Sequence, residues 1–358
     1  MDLDEQVGKI LAYGEICDHC LGRFFGKWSH GLTNAERGQG LRVTHAIQGN
    51  IPYKPHEGSC WICHELFADI GIWADRVVEA LSGIELSTFL VGTRVPPLMA
   101  ESEEMVWSDL GLAGPEPLKS ETNREVGKAV SAITGKTADL SHPDVVAILD
   151  LANGTVDLEI TPLFFRGRYR KFERGIPQTR WPCRVCHGAG CERCGFTGKM
   201  YPDSVEELIG RTAIEAFQAA DAVLHGSGRE DIDARMLGSG RPFVMEMVAP
   251  RRRAPDLSAL EEAVNRNAAG RVGVSIDGWS TRAEVETLKS EKPHKKYRIS
   301  VEVEGGIARN ELEEALDRLK GAVVAQRTPA RVVHRRADRI RERRVVDARV
   351  AGQEDGRF

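Results

Sequence analysis

The stretch SVEELIGRTAIEAFQAADAVLHGSGREDIDARMLGSGRPFVMEM, residues 204–247, joins a long amphipathic segment to an apolar run across a charged, glycine-rich loop. Over residues 204–226, apolar side chains recur three and four positions apart, and Ser204 with Glu207 matches a capping box, so we predict one amphipathic helix. The glycines of HGSG would end that helix, and PFVMEM would then form a buried strand. A helix followed by such a strand predicts a helix packed on a sheet.

Helical and strand patterns alternate irregularly through the rest of the chain. The segments LSTFLVGTRV (86–95), VDLEITPLFF (156–165) and KKYRISVEVEG (295–305) are predicted strands, whereas HPDVVAILDLANG (142–154) has the start and stop signals of a helix. Because antiparallel and crossover connections are mixed, the pattern predicts an α+β fold with a mixed sheet rather than a doubly wound one.

The length and composition are typical of a globular protein with more than one domain. The chain has 358 residues, of which 41% are hydrophobic and 28% charged, and its formal net charge is -4. No window approaches the run of about 18 apolar residues that a membrane span needs, and the N-terminal MDLDEQVGKI is acidic rather than signal-like. We therefore expect a cytoplasmic protein with no membrane partner.

Two basic segments stand out against the acidic net charge. Residues 166–184 contain seven lysines and arginines against the single acid Glu173, and residues 327–349 contain nine arginines against three acids. Concentrated positive charge in an acidic protein favours a polyanionic partner that binds at a defined face. The alternative is a pair of solvated surfaces whose charges are satisfied by local salt bridges.

All eight cysteines fall in C-x2-C pairs, which is the spacing of zinc hooks. Two such hooks complete a tetrahedral site with no open coordination position, so we predict two structural zinc sites. A redox role is disfavoured because no thioredoxin-like context surrounds the pairs. His19, His64 and His187 adjoin the cysteines and are expected to be bystanders. The predicted ligands are Cys17, Cys20, Cys60 and Cys63 in the first cluster and Cys183, Cys186, Cys191 and Cys194 in the second.

The loop GREDID, residues 228–233, carries one arginine and three acids. In one interpretation it is a solvated turn in which Arg229 and Asp231 form a surface ion pair of little consequence. In the other, Arg229 orients the Asp231 carboxylate for catalysis, since catalytic acids often lie on loops at the edge of a sheet. Charge and glycine content alone favour the turn. A magnesium site at Asp231 and Asp233 is not supported, because no phosphate-binding glycine loop accompanies them.

Longer motifs around this loop resemble those of the archaeal and eukaryotic tRNA pseudouridine(54/55) synthases. The similar segments are GREDIDARMLGSGRPF, FRGRYRKFERGIPQTRWPC, SVEELIG and RTPARVVHRRADRIR, together with both cysteine clusters, and they cover most of the chain. The resemblance implies a zinc-tied, THUMP-related RNA-binding α/β domain over residues 1–155. It also implies a pseudouridine synthase-type catalytic domain over 156–358, which contains the cluster at 183–194. The family's domain continues past the segment that matches RRVVDARV, so we expect the C-terminus of this domain to be incomplete.

The same resemblance implies roles for individual residues. Asp231 matches the catalytic aspartate, Arg229 would orient it, and Tyr297 matches the active-site tyrosine that stacks on the target base. The alternative for Tyr297 is an ordinary strand tyrosine that packs at the edge of a sheet. The basic segments would hold the RNA backbone, with candidate contacts from Arg166, Arg168, Arg170, Lys171, Arg180, Arg335 and Arg336.

The implied activity is that of an isomerase that converts uridine to pseudouridine in the tRNA T-arm, at position 54, position 55 or both. Such a reaction needs no organic cofactor, so we expect structural zinc alone, and we expect a monomer whose partner is tRNA. Two alternatives stay open on the residues: a non-catalytic zinc-stapled tRNA-binding protein, and another THUMP-type tRNA modification enzyme. The second would need a nucleotide or S-adenosylmethionine site, and the sequence shows neither a P-loop nor a G-x-G-x-x-G after a strand.

Overall fold

The computed structural model describes residues 2–112, 114–290, 294–328 and 338–352. It divides into two compact units, the first from Met1 to Lys292 and the second from Pro293 to Phe358. The first unit contains two four-stranded sheets with their helices. Within the described ranges, no helix is both long enough and apolar enough to cross a membrane.

The first sheet and its helices occupy the N-terminal half of the first unit. Strands β1 (Thr88–Arg94), β2 (Thr137–Ala138), β3 (Val145–Asp150) and β4 (Thr155–Ile160) take the order β2-β1-β3-β4. β1 is parallel to both of its neighbours, and β4 is antiparallel to β3. The helices are α1 (Leu3–Ala12), α2 (Asp18–Phe24), α3 (Asn34–Gln48), α4 (Ile70–Ala80), α5 (Pro97–Leu110) and α6 (Leu118–Thr134). Buried side chains of α1, α2, α4, α5 and α6 share one core with those of β1 and β3, and the partly buried Leu41 of α3 packs against it. This core includes the first cysteine cluster.

The second sheet is antiparallel and has helices on both faces. Strands β5 (Leu163–Lys171), β6 (Asp221–Gly226), β7 (Met236–Val248) and β8 (Val272–Ser280) take the order β6-β7-β5-β8. Helices α7 (Val205–Phe217) and α8 (Leu257–Asn267) pack on one face, where Phe165 and Met245 belong to the core. Helix α9 (Arg282–Ser290) packs on the other face, where Val285 contacts Phe164 and Val244. The neighbours Phe164 and Phe165 thus face opposite sides, as the period of a strand requires.

Strand β5 separates its charged side chains by the same alternation. Arg166, Arg168 and Arg170 lie on the α9 face and are exposed or half-buried. Tyr169 and Lys171 lie on the opposite face and are buried. The basic segment therefore divides into a surface row of arginines and one lysine inside the fold.

The prediction of a single helix over residues 204–226 is wrong beyond Phe217. Gln218 takes a left-handed φ of 46° and ends α7, and the chain then forms β6, which pairs with β7. Ala222 and Leu224 are buried two positions apart, a strand pattern that the preceding helical period concealed. The predicted cap is present, because the Ser204 hydroxyl accepts a hydrogen bond from the Glu207 backbone N–H at 3.2 Å.

Three other predicted elements differ from the structure. Residues 142–154, predicted as a helix, contain β3 and the turn that follows it instead. Alternate side chains from Val145 to Leu149 are buried where β3 lies between β1 and β4. The predicted strand 156–165 is two strands of different sheets, since it breaks at Thr161 and Pro162 between β4 and β5. Residues 295–305, although within the described part of the chain, form no strand. LSTFLVGTRV forms β1, as predicted.

The second unit contains one helix and one hairpin among its described residues. Helix α10 (Arg309–Leu319) is followed by β9 (Val323–Arg327), which pairs antiparallel with β10 (Ile340–Arg344). The side chains of both strands are exposed.

The chain as a whole therefore has the mixed α+β fold that was predicted. The predicted domain boundary at residue 155 stays a prediction. In the structure β4 begins at Thr155 and continues the first sheet to Ile160, so a boundary drawn between the two sheets falls a few residues later.

Candidate active site

The loop that carries Asp231 connects β6 to β7 and comprises residues 227–235. The backbone enters it through a close approach to Gln178, because a Cβ at Gly226 would lie 2.6 Å from Gln178 Nε2 and 3.1 Å from the Gly228 carbonyl oxygen. Its acids occupy different environments: Asp231 and Asp233 are exposed, whereas the Glu230 side chain is only 4% exposed. Glu230 is therefore the buried acid of the loop, which sequence reasoning did not distinguish from its neighbours.

Glu230 lies among three polar groups supplied by β5 and β7. The Tyr169 hydroxyl donates to Oε2 at 2.8 Å, the Arg241 Nε lies 2.9 Å from Oε2, and the Lys171 Nζ lies 4.0 Å from Oε1. Arg241 and Lys171 are themselves buried, so this carboxylate compensates two cations that have little access to water. Burial and the adjacent Glu230 raise the pKa of Tyr169, so its hydroxyl stays protonated and able to donate.

Lys171 holds the backbone of the loop instead of facing solvent. Its side chain is 0% exposed, and Nζ donates to the carbonyl oxygens of Ile176, Asp231 and Ile232 at 2.8, 3.2 and 3.3 Å. Burial lowers the pKa of Lys171, an effect that Glu230 opposes. The prediction that Lys171 contacts RNA is corrected accordingly, since an ammonium group enclosed in this way does not meet a phosphate at the surface.

Two further side chains hold the loop by its carbonyl groups. Gln178 Nε2 donates to the Gly228 carbonyl at 3.1 Å and to the Tyr169 hydroxyl at 2.9 Å. Arg241 Nη1 donates to the Ser227 carbonyl at 2.6 Å. Together with Lys171, these contacts bind the loop backbone at four positions between 227 and 232. The loop is therefore fixed by groups from β5, from β7 and from the segment that contains Gln178.

Arg229, predicted to orient Asp231, has a defined aromatic neighbour. Its guanidinium carbon lies 4.9 Å from the ring centroid of Trp181, which is a cation–π contact. Trp181 is buried, so the contact is sheltered from water. The orienting role of Arg229 toward Asp231 stays a prediction.

Three of the predicted site residues, Tyr297, Arg335 and Arg336, belong to the sequence range of the second unit. Tyr297 is 75% exposed there, in a segment without regular secondary structure. Arg335 and Arg336 lie outside the described residues. The stacking role of Tyr297 and the RNA contacts of the two arginines stay predictions.

The predicted RNA-binding residues Arg166, Arg168, Arg170 and Arg180 lie in the first unit and are exposed or half-buried. On the α9 face of β5, Arg166 pairs with Glu284 at 2.7 Å and Arg168 donates to the Ser239 carbonyl at 2.6 Å. A cleft of about 280 Å³ opens on this face between β5, β7 and α9. Arg170 is exposed on the same strand, and the half-exposed Arg180 lies 3.6 Å from Asp221. The RNA contacts of these arginines stay predictions. The residues that line the cleft include Arg166, Arg168, Val244, Asp277, Glu284 and Leu288.

Each predicted set of four cysteines is gathered into one cluster whose sulfur atoms lie within 4.8 Å of one another. The Sγ atoms of Cys17 and Cys63 are 3.6 Å apart, and those of Cys191 and Cys194 are 3.8 Å apart. Zinc–sulfur bonds of about 2.3 Å in a tetrahedron place sulfurs about 3.8 Å apart, so both donor sets fit zinc. The backbone N–H groups of Cys191 and Gly198 donate to Cys194 and lower its pKa to about 6, which favours the thiolate that binds metal.

The first cluster is surrounded by buried charged and aromatic side chains. Arg23 is fully buried, its Nη2 lies 3.7 Å from Cys20 Sγ, and its Nη1 pairs with Glu103. His19 lies 2.8 Å from Glu121 and stacks on Phe67. Among the described residues, the groups of side chains that could hold a metal ion consist of cysteines alone. His19, His64 and His187 belong to neither group.

We predict about two zinc ions per chain, because two four-sulfur sites each bind one ion. Elemental analysis of the native protein measures this directly. The paired substitutions Cys17→Ser with Cys60→Ser, and Cys186→Ser with Cys194→Ser, should each remove about one ion. A zinc content near zero in the unsubstituted protein would overturn the assignment.

Comparison with known proteins identifies relatives along nearly the whole chain. Residues 164–358 match the family model described as Pus10, C-terminal, and residues 73–150 match Pus10 THUMP domain, archaeal. The chain is 46% identical to the tRNA pseudouridine synthase Pus10 of Methanothrix thermoacetophila, over 97% of this chain and 82% of that protein. The corresponding values are 42%, 97% and 84% for the Halorubrum lacusprofundi protein of the same name, and 35%, 98% and 83% for that of Methanocaldococcus jannaschii. With both family models and relatives of this similarity in agreement, the chain belongs to the Pus10 family of tRNA pseudouridine synthases, which are isomerases.

Proposed function

We propose that this chain converts uridine to pseudouridine in the T-arm of tRNA, at position 54, position 55 or both, with Asp231 as the catalytic carboxylate. The observation that carries the proposal is the anchored loop, whose backbone is bound by Lys171, Gln178 and Arg241 while Asp231 is exposed. A reacting group has to meet its substrate in a fixed position, and a held loop with an exposed carboxylate provides that. Membership of the family supports tRNA as the substrate.

The reaction replaces one bond to the sugar with another on the same base. The bond from C1′ to N1 breaks, the uracil turns, and a bond from C1′ to C5 forms. N1 gains a proton and C5 loses one, so substrate and product have the same composition and no redox partner is consumed. Asp231 would act as the nucleophile or as the base at the sugar while the first bond breaks.

The target uridine is stacked inside the folded T-arm and has to be turned out to react. Unstacking costs on the order of a few kcal/mol, and an aromatic platform restores part of this by stacking on the free base. We assign that platform to Tyr297.

The arginines of β5, with Arg180, Arg335 and Arg336, would hold the phosphate backbone through contacts that weaken as salt rises. Zinc is assigned a structural role in both clusters, and the monomeric state and cytoplasmic location remain predictions.

Chemical mapping of pseudouridine in a tRNA transcript tests the proposal. After incubation with the chain, carbodiimide adducts that stop reverse transcription are expected at position 54, position 55 or both. Matched transcripts with cytidine at one of the two positions assign the target, because each should lose only its own stop. A transcript that binds the chain but acquires no adduct in the T-arm would contradict the proposal and favour a non-catalytic tRNA-binding protein.

A further inference from the structure

We propose that the second cysteine cluster positions the Asp231 loop through Trp181, so that metal in this cluster supports the chemical step rather than tRNA binding. The inference rests on the proposed function, because it assigns Asp231 to catalysis. We use "ribbon" for residues 182–199, which contain the four cysteines. Trp181 is a positioning residue in this scheme, since it acts on the loop through Arg229.

The base of the ribbon brings its two ends together beside the loop. Pro182 pairs antiparallel with Lys199, and the Met200 backbone N–H donates to the Trp181 carbonyl at 2.9 Å. The aromatic residues just outside this bridge then meet, with the rings of Trp181 and Tyr201 5.5 Å apart and edge to face. The position of the Trp181 ring therefore depends on the closure of the ribbon.

The segment that enters the ribbon contacts the loop at two consecutive residues. Gln178 Nε2 binds the Gly228 carbonyl, and the Trp181 ring lies under the Arg229 guanidinium. Glu230 and Asp231 follow directly in the chain. Gln178 and Trp181 are both buried, and protein interiors are closely packed, so a shift of this segment is expected to displace the loop.

The opposite side of the segment is fixed to α7. The backbone N–H groups of Val205 and Glu206 donate to the Pro177 and Gln178 carbonyls, each at 3.0 Å. Lys199 Nζ donates to Glu207 in the first turn of the same helix at 2.7 Å. The stem of the ribbon is thus held between α7 and the loop.

The ribbon has few buried apolar side chains that could keep it folded without metal. Its hydrophobic side chains Val185 and Phe196 are exposed, the latter by 73%. Its regular structure is one short 3-10 helix, Glu192–Cys194. A segment of this kind folds on the metal that its cysteines bind. Loss of the metal is therefore expected to loosen the pairing of Pro182 with Lys199. The Trp181 ring, which lies next to this pairing, would then be less firmly positioned.

The test compares Trp181 variants of the full, zinc-containing chain on a tRNA transcript. We expect Trp181→Ala to lower kcat by about 10- to 100-fold while KM changes by less than about threefold, because a small misplacement of a reacting group has effects of this size. Trp181→Phe should recover most of the loss, since a ring face remains for Arg229. Phe196→Ala, an exposed aromatic residue on the same ribbon, is the matched control and should leave both constants unchanged.

Hydrogen exchange of the backbone amides supplies a readout that does not depend on activity. Amides of residues 227–233 should exchange faster in Trp181→Ala and in the Cys186→Ser, Cys194→Ser double variant, with β5 and β7 unchanged. Wild-type kcat in Trp181→Ala, a loss confined to KM, or unchanged loop exchange in both variants would overturn the inference. If the unsubstituted chain forms no pseudouridine, the proposed function fails while the exchange experiment still tests the link between ribbon and loop.

Discussion

Replacement of Asp231 by alanine is expected to slow pseudouridine formation by at least about a thousandfold, the scale on which loss of a catalytic residue acts. The variant lacks the proposed nucleophile or base. Its loop should stay in place, because Lys171 binds the main-chain carbonyl of residue 231 at 3.2 Å and alanine keeps that carbonyl. Affinity for tRNA should therefore change by only a few-fold. Single-turnover assays on a tRNA transcript measure the rate, and fluorescence anisotropy measures the affinity.

The matched control for this experiment is Asp233→Ala. Asp233 is an exposed acid of the same loop, two residues further on, and its removal makes the same change in charge. Its variant should turn over at close to the unsubstituted rate. Substantial residual turnover in Asp231→Ala, or an equal loss in both variants, would remove Asp231 from the catalytic role.

The contrast between Glu230 and Asp231 shows what the sequence cannot supply. Both are acids on one glycine-bounded loop, and neither charge nor glycine content separates a buried acid from an exposed one. The difference arises from Tyr169 and Lys171 on β5 and Arg241 on β7, which meet the loop only after the sheet has formed. The resemblance to a known family indicates Asp231, whereas the burial of Glu230 is evident only from the folded structure.

The burial of Lys171, unlike that of Glu230, could have been predicted from the sequence. In a strand alternate residues share a face, so Arg166, Arg168 and Arg170 belong together and Lys171 belongs with Phe165 and Tyr169. Counting all basic residues of the segment as one surface ignored this alternation. The eight cysteines were grouped correctly, since C-x2-C spacing brings the two sulfurs of each pair together locally.

The misassigned helices have a common physical cause. Residues 142–154 and 218–226 both contain closely spaced apolar residues that satisfy a helical and a strand pattern equally well over so short a length. Pairing decides between the two, because β3 lies between β1 and β4, and β6 pairs with β7. Tertiary contacts of this kind override local preference.

Replacement of Glu230 by alanine is expected to cost about 3–5 kcal/mol of local stability, because it leaves two buried cations without their counter-charge. Those cations are Lys171 and Arg241, and both also hold the loop backbone. The free energy of opening of β5 and β7, measured by native-state hydrogen exchange, should fall by this amount. Pseudouridine formation should fall with it, since the anchors of the loop are disturbed.

Two further variants separate charge from packing and from surface pairing. Glu230→Gln keeps an acceptor for the Tyr169 hydroxyl and nearly the same volume, so a large loss in this variant assigns the effect to charge. Glu284→Ala breaks an ion pair of similar length, 2.7 Å to Arg166, whose two side chains are half-exposed on the α9 face of the same sheet. Water already screens that pair, so its loss should leave the opening free energy almost unchanged. The two carboxylates differ chiefly in their access to water. If Glu230→Ala and Glu284→Ala lowered the opening free energy equally, the burial of Glu230 would not be what stabilises the Asp231 loop, and the prediction would fail.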